Sequence, residues 1–367
     1  MALTAASVLA AALSTGLTAP APTEPQRFVI GTYTGASSEG IYEITLSPEQ
    51  KTLAPAQLLT AMDNPSYLAL SADQHHLYAV SETGKGAVHA FAWQAGALRP
   101  LGQQSSQGAS PCHLSLHPDG QALAVANYMG GNSAVLPVEV DGALRPATAR
   151  WAYQGQGPNT ERQEAPHAHY AQWSADGRHL YTVDLGSDTL WQQEDGRSEP
   201  AVALKLHPGD GPRHLAFHPT LPVAYLLNEL SNTLVVADRN VEDGTLSERQ
   251  RLATLPEGFT GHSQAAAVKL SADGTRLYLS NRGHNSLAVF EVSSDGALVL
   301  MQHIDSGGDW PRDFALSQDG RWLVVANERS GRLALFAVAE DGSLSDTGRY
   351  WALDSPVAVL AIASEGE

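Results

Sequence analysis

The sequence predicts an all-β fold: a seven-bladed β-propeller with four antiparallel strands per blade, its ring closed by the N- and C-terminal strands. Three observations predict it. A hairpin pattern recurs six times, further strand-like segments of even spacing fill the intervals, and the two chain ends together supply one more unit.

The first copy spans 64–82, where alternating apolar residues run to Leu70, turn at Ser71-Ala72-Asp73 and alternate again from Leu77 to Glu82. The pattern returns at 112–127 around His117-Pro118-Asp119-Gly120, and at 169–184 around Ser174-Ala175-Asp176-Gly177. It returns again at 213–229 around His218-Pro219-Thr220, at 267–281 around Ser271-Ala272-Asp273-Gly274, and at 314–327 around Ser317-Gln318-Asp319-Gly320. The copies lie about 45 to 55 residues apart, a period that suits a propeller blade.

Each interval adds two strand-like pieces, such as 87–93 and 287–292, followed by turns such as Asp295-Gly296-Ala297-Leu298. The seventh unit comes from the ends: 356–363 resembles a first strand, and 28–34, 41–46 and 53–59 supply three more. Closing the ring this way removes the open sheet edge that a linear array would expose. The expected organisation is an extension at 1–26 followed by one propeller domain at 27–367.

The extension is Ala/Leu-rich to Leu17 and then Pro-rich, like the apolar part of a secretory signal, but no Lys or Arg precedes Arg27. Export and a frayed tail are both open readings. The net charge of −17, with no basic cluster against it, excludes nucleic acid and anionic membrane surfaces as expected partners. The single cysteine, Cys112, excludes a disulfide framework and any multi-cysteine metal site. It is expected to be a buried small hydrophobe rather than a nucleophile.

In an antiparallel hairpin the start of the first strand and the end of the second share one end, so residues flanking each copy converge at one mouth of the channel. Strand starts collect His113, His167, His169, Arg213, His214, His262 and Arg312. Strand ends collect Glu82, Asn127, Asp184, Glu229, Asn281, Arg282 and Asn327. Short polar groups such as Asn127, Asp184 and Asn327 are expected to lock turns. Arg213, Glu229 and Arg282 are expected to be functional, because buried guanidinium groups need an anionic partner and offer planar donors to a carboxylate, phosphate or oxyanion. His167 and His169 lie two apart at the entry to a strand, where one is expected to point into the channel and the other to face a blade interface; His167 is taken as the channel residue. The His-Ala-His spacing also admits a metal, but no Cys or carboxylate motif completes a ligand set, and no metal or cofactor is expected.

Seven strings at the repeat edges carry a family resemblance. They are Gly31-Thr32-Tyr33-Thr34, Ala126-Asn127-Tyr128, the run from Arg162 through Gln163, Glu164, Ala165, Pro166, His167 and Ala168 to His169, Asp184-Leu185-Gly186, Gly211-Pro212-Arg213-His214, Asn228-Glu229 and Asn281-Arg282-Gly283-His284. In their order and spacing the chain, from Phe28 onward, resembles the bacterial 6-phosphogluconolactonases of the seven-bladed propeller type. The resemblance implies hydrolysis of 6-phospho-D-glucono-1,5-lactone to 6-phosphogluconate, in the pentose phosphate pathway, in the cytoplasm. The fold family is also similar to fungal carboxymuconate-lactonizing enzymes, whose proposed His, two Arg and Glu fall here on His167, Arg213, Arg282 and Glu229.

The expected chemistry follows. His167 acts as general base on a water, Glu229 orients it, and Arg213 and Arg282 stabilise the oxyanion or hold an anion. Glu82, His169, His214, Asn281, His284 and Arg312 are expected to bind substrate. Competing readings are a lactonizing isomerase for a muconate-type dicarboxylate, an exported lactonase for an unphosphorylated lactone, and a non-enzymatic scaffold. The polar mouth disfavours the scaffold. The oligomeric state is left open.

Overall fold

Residues 25–47, 53–94, 96–194 and 198–363 are described by the computed structural model. The leader-like stretch at 1–22 lies outside them. The chain forms seven four-stranded antiparallel sheets. Six are continuous in sequence, at 68–105, 111–152, 168–205, 212–253, 264–305 and 311–352. In the remaining blade the C-terminal strand Pro356–Ile362 is innermost and pairs with Gln26–Thr32, followed by Gly40–Leu46 and Gln57–Ala61. Both termini thus build the closing blade, as the sequence predicts. Its outer strand begins four residues later than the apolar pattern from Leu53 indicates, and its first strand begins at Gln26.

The innermost strands touch their neighbours in succession around the ring, the C-terminal strand touching Leu68–Leu70 and Pro311–Leu316. Blades are numbered here from the closing blade as the first. Each apolar cluster among the described residues spans two adjacent blades, so the core lies in seven interfaces rather than in one centre. Second-strand tyrosines rivet some of these interfaces. The hydroxyls of Tyr78, Tyr181, Tyr225 and Tyr278 donate to the carbonyls of Gly142, Gly244, Gly296 and Gly342 on the next blade, at 2.8–3.0 Å. Those glycines sit in Asp-Gly turns at φ of 73–85°, where a side chain would be strained.

The Ser-x-Asp turns close on themselves: the hydroxyls of Ser71, Ser174, Ser271 and Ser317 donate to Asp73, Asp176, Asp273 and Asp319. At the other end of the inner strands the register slips in six blades, at Val357, Cys112, His169, Arg213, the Ala266-Ala267 pair and Arg312. This bulge puts one extra residue into each inner strand and re-aims the side chains beside it.

Candidate active site

The bulges decide what faces the channel. Because of the slip, consecutive residues both point inward. His169 and Tyr170 lie 5.6 and 4.9 Å, ring to ring, from His214 of the next blade, whose own neighbour Arg213 also faces the mouth. The expected split of His167 and His169 between channel and blade interface does not follow from alternation, which puts residues two apart on one face, and the slip at His169 changes that register again. His169 occupies the bulge position equivalent to Arg213 and Arg312, while His167 precedes its strand and stacks on Tyr128 at 4.5 Å.

A second ring is formed by the residue that ends or directly follows each second strand: Tyr33, Glu82, Tyr128, Leu185, Glu229, Arg282 and Glu328. It interlocks with the bulge ring in two charged groups. In the first, the Glu229 carboxylate, 2 % exposed, contacts three guanidinium groups: Arg162 at 2.6 Å, Arg282 at 2.7 Å and Arg213 at 3.1 Å. In the second, Arg312 donates to the Tyr33 hydroxyl at 2.6 Å, Tyr33 donates to Glu82 at 3.0 Å, and Glu328 lies 3.7 Å from Arg312.

The electrostatics of the two groups differ. Burial raises the Glu229 carboxyl, but Arg282, Arg213 and Arg162 outweigh it and hold the group well below the usual carboxylate range. Arg213 is nevertheless pushed down to about 9, by burial and then by Arg282 and Arg312. Both partners of one ion pair thus shift downward, because a single carboxylate shared among three cations leaves positive charge uncompensated. Burial also lowers Arg312, yet Tyr33, Glu82 and Glu328 outweigh it and leave it raised. The Glu229 group therefore calls for an anion, and the Arg312 group has acids of its own.

Arg213 and Arg282 are fixed from behind. Arg213 donates through Nη1 to the Ala266 carbonyl and to His214 Nε2. Arg282 donates to the carbonyls of Gln264 and Ala265, each at 3.3 Å, and lies over Trp310. Burial, followed by the Arg213 charge, pushes His169 and His214 well below the ordinary imidazole range, so both are neutral. His214 thus braces Arg213 from below, rather than lining the open mouth as expected. Cys112 is buried with Sγ 3.9 Å from His169 Nδ1, and burial pushes its thiol up, which leaves it no thiolate character at neutral pH.

His167 is buried, with both ring nitrogens against acceptors. Its Nδ1 faces the Tyr128 carbonyl at 3.1 Å, and a carbonyl only accepts, so Nδ1 carries the hydrogen. The other nitrogen, Nε2, lies 3.1 Å from the half-exposed carboxylate of Glu164. Its backbone N–H is held by Asp184 at 2.7 Å. The carboxylate beside His167 is thus Glu164; Glu229, expected to orient it, is taken up by arginines.

The remaining candidates divide cleanly. Asn281 is fully buried and donates to the Thr254 carbonyl at 2.9 Å, so it locks a turn and does not reach the mouth. Asn127 and Asn327 do the same to Ser106 and Ser306. His284 bonds Ser286 at 2.7 Å and meets Phe259 edge-on, apart from the Glu229 group. Arg162 and Glu164 were visible in sequence only as parts of a family string, because a loop rather than a repeat edge carries them. Among the described residues no group of three or more His, Cys, Asp or Glu is placed to hold a metal ion. Surface grooves also lie away from the mouth. One of about 510 Å³ is lined by Asp273, Ser317 and Asp319, whose polar groups are already engaged in turns.

Residues 27–361 match the family described as Lactonase, 7-bladed beta-propeller. A 6-phosphogluconolactonase of Bacillus subtilis is 39% identical over 291 residues, covering 78% of this chain and 83% of its own. Among solved structures, a periplasmic gluconolactonase of Pseudomonas aeruginosa is 32% identical with a TM-score of 0.86, covering 92% of this chain and 99% of its own. A Lactobacillus plantarum protein is 35% identical with the same TM-score of 0.86, covering 92% and 100%.

Proposed function

The chain belongs to the lactonase family of seven-bladed β-propellers, enzymes that hydrolyse lactones, and from that premise we propose that it opens a sugar 1,5-lactone at the Glu229 mouth. The observation that carries the reading is the excess charge: three guanidinium groups around one buried carboxylate. Attack of water on a lactone carbonyl creates an oxyanion. Fixed cationic donors in a site shielded from water stabilise that charge most where it develops, without reorganisation.

His167 supplies the proton transfer. In its neutral form, with Nδ1–H donated to Tyr128 and the half-exposed Glu164 carboxylate turned aside, the ring offers Nε2 to the attacking water and takes its proton. The imidazolium then has Glu164 as acceptor, and returns the proton to the ring oxygen as the tetrahedral intermediate collapses and the endocyclic C–O bond breaks. Water adds across one ester bond, and the product is an aldonate. Arg213 and Arg282 hold the oxyanion; Glu229 keeps both aligned.

The Bacillus relative bears the name of a 6-phosphogluconolactonase, which favours 6-phospho-D-glucono-1,5-lactone as substrate and a cytoplasmic place in the pentose phosphate pathway. A specific observation favours a second reading. The other guanidinium of the mouth, Arg312, is answered by Glu82 through Tyr33 and by Glu328, so a 6-phosphate has no separate cationic site there and must draw on the excess charge of the Glu229 group. An unphosphorylated gluconolactone needs none, and the Pseudomonas relative is named for that substrate. Under this reading residues 1–22 serve as an export signal.

The test is hydrolysis of freshly generated 6-phosphogluconolactone and of glucono-1,5-lactone by purified protein, corrected for spontaneous opening. A ratio of kcat/KM above ten in either direction selects the substrate. No acceleration of either refutes the lactonase reading of this mouth.

A further inference from the structure

The connection from the third blade to the fourth is fifteen residues long, 153–167, against three to ten between the other blades. Long connections on a rigid scaffold carry function when they are ordered, and this one is ordered by a buried core of its own. Gln163, fully buried, accepts at its backbone carbonyl from Gly157 at 3.0 Å and donates from its side chain to the Leu185 carbonyl at 2.9 Å and to Asp188 at 2.7 Å. Asp188, 2 % exposed, also accepts from the backbone N–H groups of Gly211 at 2.7 Å and Gly209 at 2.8 Å.

One carboxylate therefore ties two segments together. On one side is the residue next to Arg162; on the other is Gly211, two residues before Arg213. Gly211 has φ of 56°, and a Cβ there would come within 2.4 Å of Leu230, so this stretch of backbone has little freedom to adjust. No basic side chain reaches Asp188 among the described residues, and the charge is spent on three amide donors. A buried ion held this way fixes geometry more than it adds stability.

Arg162 differs from its two companions. Its side chain is 31% exposed, whereas those of Arg213 and Arg282 are 3% and 5% exposed. Its Nη2 alone is engaged, with Glu229 at 2.6 Å and the Tyr128 hydroxyl at 3.2 Å. Nε and Nη1 make no hydrogen bond among the described residues, while its companions are tied to backbone carbonyls. It closes the Glu229 cluster on the solvent side.

We propose that Arg162 is a substrate-binding residue, the guanidinium that meets an oxygen of the incoming lactone at the open side of the cluster, and that Asp188 is the positioning residue for Arg162 and Arg213 together. This rests on the lactonase reading. An arginine that binds substrate equally before and during reaction moves KM; one that braces the scaffold moves neither constant until the fold fails.

The experiment measures lactone hydrolysis by the full chain for wild type, R162K, R162Q, D188N and R162Q/D188N, with a thermal melt of each. Wild-type turnover tests the lactonase reading by itself. Given that turnover, R162Q is expected to raise KM about 10- to 100-fold, the size of a lost charge-assisted hydrogen bond, with kcat within about threefold and R162K between. D188N is expected to raise KM like R162Q and to lower kcat as Arg213 shifts, and the double variant to be no worse in KM than D188N, since the two act through one contact. A KM for R162Q within twofold of wild type refutes the role of Arg162. Multiplicative effects in the double variant, or a D188N that melts lower with unchanged constants, refute that of Asp188.

Discussion

Replacing Glu229 by Gln removes one charge and almost no volume, and leaves Arg162, Arg213 and Arg282 around a neutral amide. Two of those guanidinium groups are at most 5% exposed, so water does not replace the lost partner. Breaking a buried pair in this way costs about 3–5 kcal/mol. In a chain of this size that lowers the melting temperature by on the order of 10 °C. The pH dependence has a definite sign. The folded-state carboxyl lies far below its unfolded value of about 4.3, so its contribution is present above that value and is lost as the pH falls toward the folded one. Melting curves from pH 7 to pH 3 should therefore show wild type losing its advantage over E229Q below about pH 4.5. Sulfate should raise the melting temperature of E229Q more than that of wild type, because an anion takes the place of the missing carboxylate. A variant that melts like wild type at pH 7 and ignores sulfate would refute the view that this carboxylate neutralises the cluster.

Three further outcomes are expected. His167→Gln should lower kcat about 10²- to 10⁴-fold without changing the melting temperature, and retained turnover would remove His167 as the base. Asn281→Ala should destabilise by about 0.5–1.5 kcal/mol, since it removes one of the two hydrogen bonds to the Thr254 carbonyl and leaves only that from His303, with KM unchanged; a raised KM in a stable variant would return Asn281 to the site. Tyr278→Phe removes the 2.9 Å rivet to Gly342 and should cost about 0.5–1.5 kcal/mol in denaturant unfolding, and an unchanged midpoint would show that the rivet adds nothing.

The fold is legible because each blade is built from local signals. Alternating apolar runs with a Ser-x-Asp or His-Pro turn between them mark the six repeated hairpins, and period alone separates a propeller from a solenoid. The two arginines and Glu229 are legible for the same reason: they flank repeats, and hairpin geometry sends all flanking residues to one end. What alternation could not convey is the bulge. A slip of one residue at Arg213 or His169 is not written in the apolar pattern, yet it decides that Arg213 and His214 both face inward, one to the mouth and one beneath it. The same applies to Asn281, adjacent to Arg282 in sequence but turned into the blade by its bond to Thr254.

Arg162 was visible only inside a family string, and its role was hidden for a different reason. Repeat logic finds positions that recur, and the fifteen-residue connection at 153–167 occurs once. Its contribution shows only when charges are counted in space. With Arg213 and Arg282 alone, Glu229 would leave one positive charge; Arg162 makes it two, and does so from the solvent side. A propeller gives every member of its family the same seven inner strands, so a change of substrate must come from what is laid over them. Here the segment laid over the mouth brings Arg162 to Glu229 and Glu164 to His167 within three residues of chain, which couples anion recognition and proton transfer to one loop. Asp188 holds that loop to the strand bearing Arg213, so a change in the loop reaches all three groups at once.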